Sequence, residues 1–172
     1  MIKSTQSHLG FTLIELLLTL AIAGIVMGIA VPSMQSIISS NRLTTQANSM
    51  VGALNIARSE SIKRSQYVTV GKLGNTWESG WQVFVDKNKN GSFDAATDTV
   101  IQTYESITAN TMNTSFTNYI SYRPDGRSNT IGSFYFCSPT ALAAFRRVVI
   151  ANSGRIRTET QDTSTKTYTN EC

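Results

Sequence analysis

The chain has 172 residues, of which 41% are hydrophobic and 15% are charged, and its formal net charge is +4 at neutral pH. This balance excludes an intrinsically disordered chain, and the mild positive charge does not by itself identify an anionic partner. The one histidine, His8, lies at the N-terminus, and the two cysteines are too far apart for a Cys-x-x-Cys redox or zinc motif.

The first element in chain order is an apolar segment that runs from Phe11 to Val31 after a short polar stretch. Its roughly 21 residues would form a helix about 31 Å long, which is close to the thickness of a bilayer's hydrocarbon core. Glu15 lies inside this segment, where a charge costs a few kcal/mol. We therefore expect a membrane helix whose carboxylate has a partner.

Three other interpretations of this segment remain. A plain anchor would need no Glu15, and a buried core helix of this length would need a larger protein around it. A cleaved secretory signal is the main alternative, with Lys3 as its charged start and the Ala-Ile-Ala sequence ending at Ala23 as its cleavage site. The apolar run continues for about eight residues past Ala23, and Glu15 interrupts it. Both features favour a retained helix.

The sequence Gly10-Phe11-Thr12-Leu13-Ile14-Glu15 resembles the precursor motif of type IV pilins and pseudopilins. This resemblance implies that a prepilin peptidase cleaves after Gly10 and methylates the new amino terminus on Phe11. It also implies that Glu15 meets the amino terminus of a neighbouring subunit during assembly. Opposite charges in a low-dielectric environment offset each other's burial cost only where they meet.

The resemblance predicts three parts: a leader peptide at residues 1–10, a transmembrane and assembly helix at 11–38, and a periplasmic head at 39–172. The protein would span the inner membrane once and then be assembled into a pilus with major and minor pilins. About 140 residues follow the apolar segment, which is enough for one domain with its own core.

The helix is predicted to continue to about Arg64, with a kink or a loosened turn at Pro32. One face of its second half carries residues at alternating steps of four and three, namely Leu43, Ala47, Met50, Leu54, Ala57 and Ser61. Arg58 and Lys63 lie largely off this stripe, and Arg58, Lys63 and Arg64 are predicted to be solvated. Residues 41–43 and 53–64 resemble the FimT branch of minor pilins and its relative, pseudopilin H of type II secretion.

Short β-type segments separated by turns follow the helix. The predicted strands are Tyr67–Lys72, Gly80–Asp86, Thr99–Tyr104, Ser115–Arg123, Ser133–Cys137, Phe145–Ala151 and Arg155–Thr160. Five aromatic residues are predicted to be core: Trp77, Trp81, Phe84, Phe134 and Phe136. The predicted fold is therefore α+β, a type IV pilin fold in which a long N-terminal helix packs its amphipathic half on antiparallel sheets.

The loop from Asp86 to Asp94 matches the first half of a calcium-binding loop, with oxygen-bearing side chains at alternate positions and Gly91 at the turn. The bidentate acid expected at the twelfth position is replaced by Thr97, and two lysines lie among the candidate ligands. We therefore predict a hairpin turn stabilised by Asn, Asp and Gly, and no metal site.

Gly154, Arg155 and Arg157 form a Gly-Arg-x-Arg sequence near the C-terminus. In an extended segment the two arginines project to one side, about 6.6 Å apart at their Cα atoms, and both could bind one phosphate backbone. Solvent-facing structure is the ordinary interpretation of such a pair. The motif is similar to the one by which FimT-type minor pilins bind DNA during natural transformation. Lys166 joins this candidate site on charge alone.

Cys137 and Cys172 are the only cysteines, and both lie outside the membrane segment. An even pair in an exported protein predicts a disulfide. Closing a loop of about 36 residues would lower the entropy of the unfolded chain and so stabilise the fold by roughly 4 kcal/mol. This bond would tie the polar C-terminal tail to the strand that ends at Cys137.

The sequence therefore predicts a minor pilin that binds DNA non-specifically through phosphate contacts and supports DNA uptake. Two alternatives stay open: a pseudopilin of a type II secretion system, and a structural tip or priming pilin without DNA binding. No cofactor is expected. The chain lacks a nucleophile elbow, a phosphate-cradling glycine loop and a convincing carboxylate pair, so we expect it not to be an enzyme.

Overall fold

A computed structural model gives the structure of the chain and describes residues 11–138 and 145–160. The chain divides into two units, Met1–Ile38 and Ser39–Cys172. The division falls where the sequence predicts the end of the membrane helix. The predicted leader, residues 1–10, lies outside the described residues, so its removal stays a prediction.

Helix α1 comprises Leu13–Arg64. Its first part is apolar on all sides and exposes its leucine, isoleucine and valine side chains, as expected of a segment whose solvent is lipid. α1 is long and apolar enough to cross a membrane. The helix is unbroken at Pro32, although proline removes the hydrogen bond to the carbonyl four residues earlier. The kink or loosened turn predicted at Pro32 therefore does not end α1.

The start of α1 is capped by Thr12, whose Oγ1 accepts a hydrogen bond from the backbone N–H of Glu15 at 3.3 Å. Thr12 and Glu15 occupy the N-cap and N3 positions of the sequence pattern called a capping box. A carboxylate in the first turn also lies at the positive end of the helix dipole. Glu15 therefore also stabilises the start of α1, a role that was not predicted from the sequence.

The second part of α1 packs on the sheets through the predicted stripe. All six residues of that stripe are buried: Leu43, Ala47, Met50, Leu54, Ala57 and Ser61. The buried Ser61 hydroxyl donates a hydrogen bond to the carbonyl of Arg58 at 2.8 Å, so it is not left unpaired. The period of 3.6 residues thus identified the buried face correctly, because side chains three and four positions apart lie above one another.

Eight strands form two four-stranded antiparallel sheets. In chain order they are β1 (Val68–Lys72), β2 (Trp81–Val85), β3 (Thr99–Tyr104), β4 (Thr111–Thr114), β5 (Tyr119–Tyr122), β6 (Gly132–Cys137), β7 (Phe145–Ile150) and β8 (Ile156–Thr160). The first sheet has the order β3-β2-β1-β5, and the second has the order β4-β6-β7-β8. The predicted fold class, a long helix packed on antiparallel sheets, is confirmed.

Two details of the strand prediction are wrong. β4 was not predicted, because its sequence Thr-Met-Asn-Thr holds only one apolar residue, Met112. The strand predicted from Ser115 to Arg123 begins only at Tyr119. Its first part instead forms a turn in which the N–H of Phe116 donates to Oγ1 of Thr114 at 3.1 Å. Ser and Thr side chains compete with sheet hydrogen bonds in this way.

The core of the head lies between α1 and the inner faces of the two sheets. The aromatic residues predicted to be core are all buried: Trp77, Trp81, Phe84, Phe134 and Phe136. Trp77 packs edge-on against Phe134, with ring centroids 4.9 Å apart, and its indole N–H donates to the carbonyl of Phe116 at 3.0 Å. These contacts join the 3-10 helix Trp77–Ser79 to the second sheet.

Tyr122 is fully buried, and its hydroxyl has no hydrogen-bond partner within the described residues. Leaving a hydroxyl buried and unpaired costs about 1 kcal/mol or more. Burial also raises the pKa of Tyr122 well above its usual value. Above about pH 10 the unfolded chain therefore releases this proton while the folded chain keeps it, and stability falls as the pH rises.

We therefore expect Tyr122→Phe to raise the free energy of unfolding by about 1 kcal/mol at neutral pH and to weaken its decline above pH 10. Thermal unfolding can be followed by the fluorescence of the two tryptophans, which both lie in this core. Tyr119→Phe, at a half-buried position of the same strand, is the control. A lower midpoint for Tyr122→Phe than for the wild type would contradict this account.

Candidate nucleic-acid interface

The turn between β7 and β8 presents the Gly-Arg-x-Arg sequence. The N–H of Gly154 donates to the carbonyl of Ala151 at 2.8 Å, and the N–H of Ala151 donates to the carbonyl of Arg155 at 3.0 Å. Gly154 has φ of 76°, in the left-handed region that favours glycine. A Cβ added there would overlap the carbonyl oxygen of Gly126. Only glycine therefore fits this close contact between two backbones.

Arg155 and Arg157 are both exposed, whereas Ile156 between them packs against the core. In register, Ile156 pairs with Ile150 and Arg157 pairs with Val149. β8 begins at Ile156, so Arg155 belongs to the turn and not to the strand, one residue later than predicted. Alternation along β8 thus keeps Arg157 in solvent while Ile156 faces the core, and Arg155 is exposed as part of the turn.

Glu159 limits the positive charge of this strand. Its carboxylate lies 3.1 Å from Nη1 of Arg147 and 4.0 Å from Nη2 of Arg157. Arg157 is therefore weakly paired and 56% exposed, while Arg155 has no ion pair within residues 11–138 and 145–160. Of the two motif arginines, Arg155 is the more available to an anion.

The remaining members of the predicted sites fall partly outside the description. Lys166 and Cys172 lie in the segment 161–172, and Gly10 lies before residue 11, all outside the described residues. Cys137 is buried at the end of β6. The pairing of Cys137 with Cys172 therefore stays a prediction.

Arg58 is not a solvated side chain of the helix, and that prediction is wrong. Its Nε donates to the carbonyl of Gly126 at 3.0 Å, and its Nη2 donates to the carbonyl of Ser153 at 3.3 Å. One guanidinium thereby connects α1 to two turns that are remote from it in sequence. The planar fork of arginine suits such a double contact. No sequence pattern predicts this contact, because both acceptors are backbone atoms.

Lys63 and Arg64 behave as predicted and remain exposed at the end of α1. Both pair with Glu60, Lys63 at 3.4 Å and Arg64 through a short contact from Nε. The hydrogen bond from Arg64 lowers the pKa of Glu60. These pairs lie on a solvated helix face, where their contribution to stability is small.

The turn Arg123–Arg127 connects the two sheets. The N–H of Gly126 donates to the carbonyl of Arg123 at 2.8 Å, and Asp125 accepts from the N–H of Arg127 at 3.0 Å and from Nη2 of Arg123 at 2.8 Å. The bond from the Arg127 N–H and the bond from Arg123 lower the pKa of Asp125. The Pro-Asp-Gly sequence at residues 124–126 is typical of such a turn, whereas Arg123 was predicted as the end of a strand.

A shallow groove crosses the outer face of the second sheet beside Arg157. Tyr135, Arg147 and Val149 contribute to its lining together with Asn113. Arg147 lies over the ring of Tyr135, with its Cζ 5.3 Å from the centroid, and donates through Nε to Ser133 at 3.1 Å. These contacts and the Glu159 pair hold Arg147 against the sheet, so it is structural in this arrangement.

The loop between β2 and β3 uses its carboxylates to hold its own backbone. The buried Asp86 accepts from the N–H groups of Asn90 at 3.2 Å and Gly91 at 2.9 Å, and Asp98 accepts from those of Lys87 at 3.1 Å and Asp94 at 3.0 Å. Oxygens that face amide hydrogens in this way support the predicted turn. Within the described ranges no group of three or more acidic, histidine or cysteine ligands occurs.

A helix that is apolar in its first part and packed on antiparallel sheets in its second, preceded by a processing motif, defines a pilin-type protein. Residues 6–31 match the prokaryotic N-terminal methylation motif, and residues 46–154 match the type II transport protein GspH. The chain belongs to the GspH family. It is a pilin or pseudopilin of the GspH/FimT kind, anchored in the inner membrane with a periplasmic head.

Two solved structures of the type IV minor pilin FimU of Pseudomonas aeruginosa share the fold. One has a TM-score of 0.59 at 20% identity and covers 69% of this chain and 89% of that chain. The second has a TM-score of 0.57 at 21% identity and covers 68% and 92%. At this identity the similarity establishes the fold alone.

A relative of known sequence is the pilin-like protein PilA1 of Thermus thermophilus. It is 37% identical over 87 residues, which are 49% of this chain and 53% of PilA1. The match thus spans about half the length of that relative. The methylation motif implies processing by a prepilin peptidase and assembly with other pilins. The family and the fold are structural ones.

Proposed function

We propose that this minor pilin binds DNA non-specifically through Gly154, Arg155 and Arg157 and supports DNA uptake in natural transformation. The observation that carries the proposal is the exposure of both arginines beside a turn that only glycine can form. Because the turn is already ordered, binding does not pay for ordering its backbone, and the planar fork of each guanidinium matches phosphate oxygens. Lys166 would add a further contact from the tail.

The proposal includes the processing and assembly that the motif implies. Cleavage after Gly10 and methylation on Phe11 would leave a helix whose Glu15 pairs with a neighbouring subunit's amino terminus. A disulfide between Cys137 and Cys172 would hold the tail near the second sheet. DNA bound at the head would then be drawn toward the cell with the pilus.

The test is DNA binding by the full chain in an uncharged detergent, measured by fluorescence anisotropy over a range of salt. We expect the Arg155→Ala, Arg157→Ala double variant to lose affinity and to reduce the slope of log affinity against log salt by roughly two, since each phosphate contact contributes about 0.9. Arg42→Ala with Lys72→Ala removes the same charge elsewhere and is the control.

If both double variants weaken binding equally, the Gly-Arg-x-Arg sequence has no special part in it. If the wild type does not bind DNA at low salt, the DNA proposal fails. The second candidate is a pseudopilin of a type II secretion system, which the match to the type II transport protein GspH favours. That candidate requires binding to sibling pseudopilins and predicts no DNA affinity.

A third candidate is a purely structural tip or priming pilin. In that case the double variant would lower the number of pili on cells, because its effect would lie in assembly. A DNA-binding pilin predicts normal piliation together with reduced DNA uptake. Counting pili and transformants from the same cultures separates these outcomes.

A further inference from the structure

The β7–β8 turn does not stand alone, because the turn Arg123–Arg127 lies directly against it. Gly126 and Gly154 meet backbone to backbone, and the N–H of Ser128 donates to the carbonyl of Asn152 at 3.2 Å. Arg58 donates to both turns at once. The relative position of the two turns is therefore fixed by contacts from three parts of the chain.

Each turn carries an exposed arginine immediately after its glycine. Arg127 follows Gly126, and Arg155 follows Gly154, so each lies one Cα step of about 3.8 Å from the point of contact. Neither arginine has an ion pair within the part of the chain that the structure describes. Two unpaired guanidinium groups thus project from a small, rigid area.

This area lies at the end of the head where α1 terminates. β1 begins there at Val68, which pairs with Val85 at the end of β2 and with Tyr122 at the end of β5. Lys63, Arg64, Lys87 and Lys89 are also exposed near these strand ends. Glu60 and Asp125 are paired at this end with Arg64 and Arg123. The loop that carries Lys87 and Lys89 also holds Asp86, Asp94 and Asp98, so it adds no net positive charge. The positive charge beside the two turns therefore comes mainly from Arg127 and Arg155.

We propose that Arg127 is a further phosphate-contacting residue, so that one DNA-binding surface extends from the β7–β8 turn across the turn Arg123–Arg127, where the carboxylate of Asp125 limits its affinity. This inference rests on the proposed DNA binding and adds residues to the same site. A phosphate backbone is the ligand that suits it, because it offers anionic groups in series to arginines on neighbouring turns.

The proposal predicts opposite effects for two neighbouring substitutions. Arg127→Ala removes one phosphate contact and lowers affinity roughly two- to fivefold, with a salt slope reduced by about 0.9. Asp125→Asn removes a negative charge but keeps an oxygen that can accept from the Arg127 N–H. It therefore raises affinity by a similar factor. This gain is tested on protein whose thermal unfolding midpoint equals that of the wild type.

The experiment uses the full chain in uncharged detergent with a fluorescent duplex. Arg42→Ala and Glu105→Gln are the matched controls, because they make the same changes in charge at exposed positions away from the two turns. Glu105 follows the end of β3, where Tyr104 pairs with Trp81 at the start of β2. We expect both controls to bind DNA like the wild type.

The outcomes separate this inference from the proposed function. If Arg127→Ala matches Arg42→Ala while the Arg155, Arg157 double variant loses affinity, the surface ends at the β7–β8 turn and this inference is wrong. An unchanged or weakened Asp125→Asn protein would equally contradict it. If the double variant binds normally and Arg127→Ala does not, the Gly-Arg-x-Arg function fails instead. A wild type that does not bind overturns both.

Discussion

Glu15→Gln is expected to reduce incorporation of this pilin into pili by more than tenfold while leaving its amount in the membrane unchanged. In the proposed assembly the Glu15 carboxylate offsets the charge of a neighbouring subunit's terminal ammonium. Removing one partner of a buried ion pair leaves the other uncompensated, at a cost of about 3–5 kcal/mol. Each 1.4 kcal/mol corresponds to a factor of ten in an equilibrium.

The structure makes glutamine the informative substitution. Glu15 is the N3 residue of a capping box with Thr12, and glutamine serves at N3 as well as glutamate. Glu15→Gln therefore removes the charge and retains the cap. Thr12→Val does the reverse, since it removes the hydroxyl that accepts the Glu15 N–H and keeps the carboxylate.

Immunoblots of sheared pili and of membranes measure both variants. If charge pairing is the role of Glu15, Thr12→Val assembles and Glu15→Gln does not. Thr19→Val adds a control within the same helix, because it removes a hydroxyl that only bonds to the carbonyl of Leu16. Normal incorporation of Glu15→Gln would exclude the ion pair and leave the N-terminal cap, which glutamine also serves, as the role of this residue.

The sequence predicted the helix and its buried face well, because both depend on neighbours within one turn. Leu43, Met50 and Leu54 follow the helical period, and the burial of that stripe is a direct consequence of it. The predicted aromatic core succeeded for a similar reason, since few other places accept side chains of that size. Local periodicity and residue size were thus enough to predict most of the fold.

What the sequence could not predict depends on contacts between remote segments. β4 pairs with β6 through its backbone, so its polar sequence gave no pattern to detect. Arg58 contacts two carbonyls that lie 68 and 95 residues away, and any residue type could supply those acceptors. The candidate site was predicted as a linear motif. Its setting, two turns held together by one helix residue, required the tertiary structure.

Gly154→Ala is expected to destabilise the head. The left-handed φ of 76° is strained for alanine, and its Cβ would overlap the Gly126 carbonyl. A mismatch of backbone conformation and a clash with backbone atoms together cost at least about 2 kcal/mol. For a domain of this size that corresponds to a fall in Tm of roughly 5–10 °C, measured by tryptophan fluorescence.

Ser153→Ala is the matched control, because Ser153 is exposed in the same turn and alanine keeps the carbonyl that accepts from Arg58. A Tm for Gly154→Ala equal to that of Ser153→Ala would show that the two turns can separate at little cost.

The Arg58→Ala variant tests whether the Arg58 guanidinium holds the two turns together. If Arg58 presses the Gly126 turn onto Gly154, losing it relieves part of the overlap. Gly154→Ala should therefore cost less in the Arg58→Ala background than in the wild type.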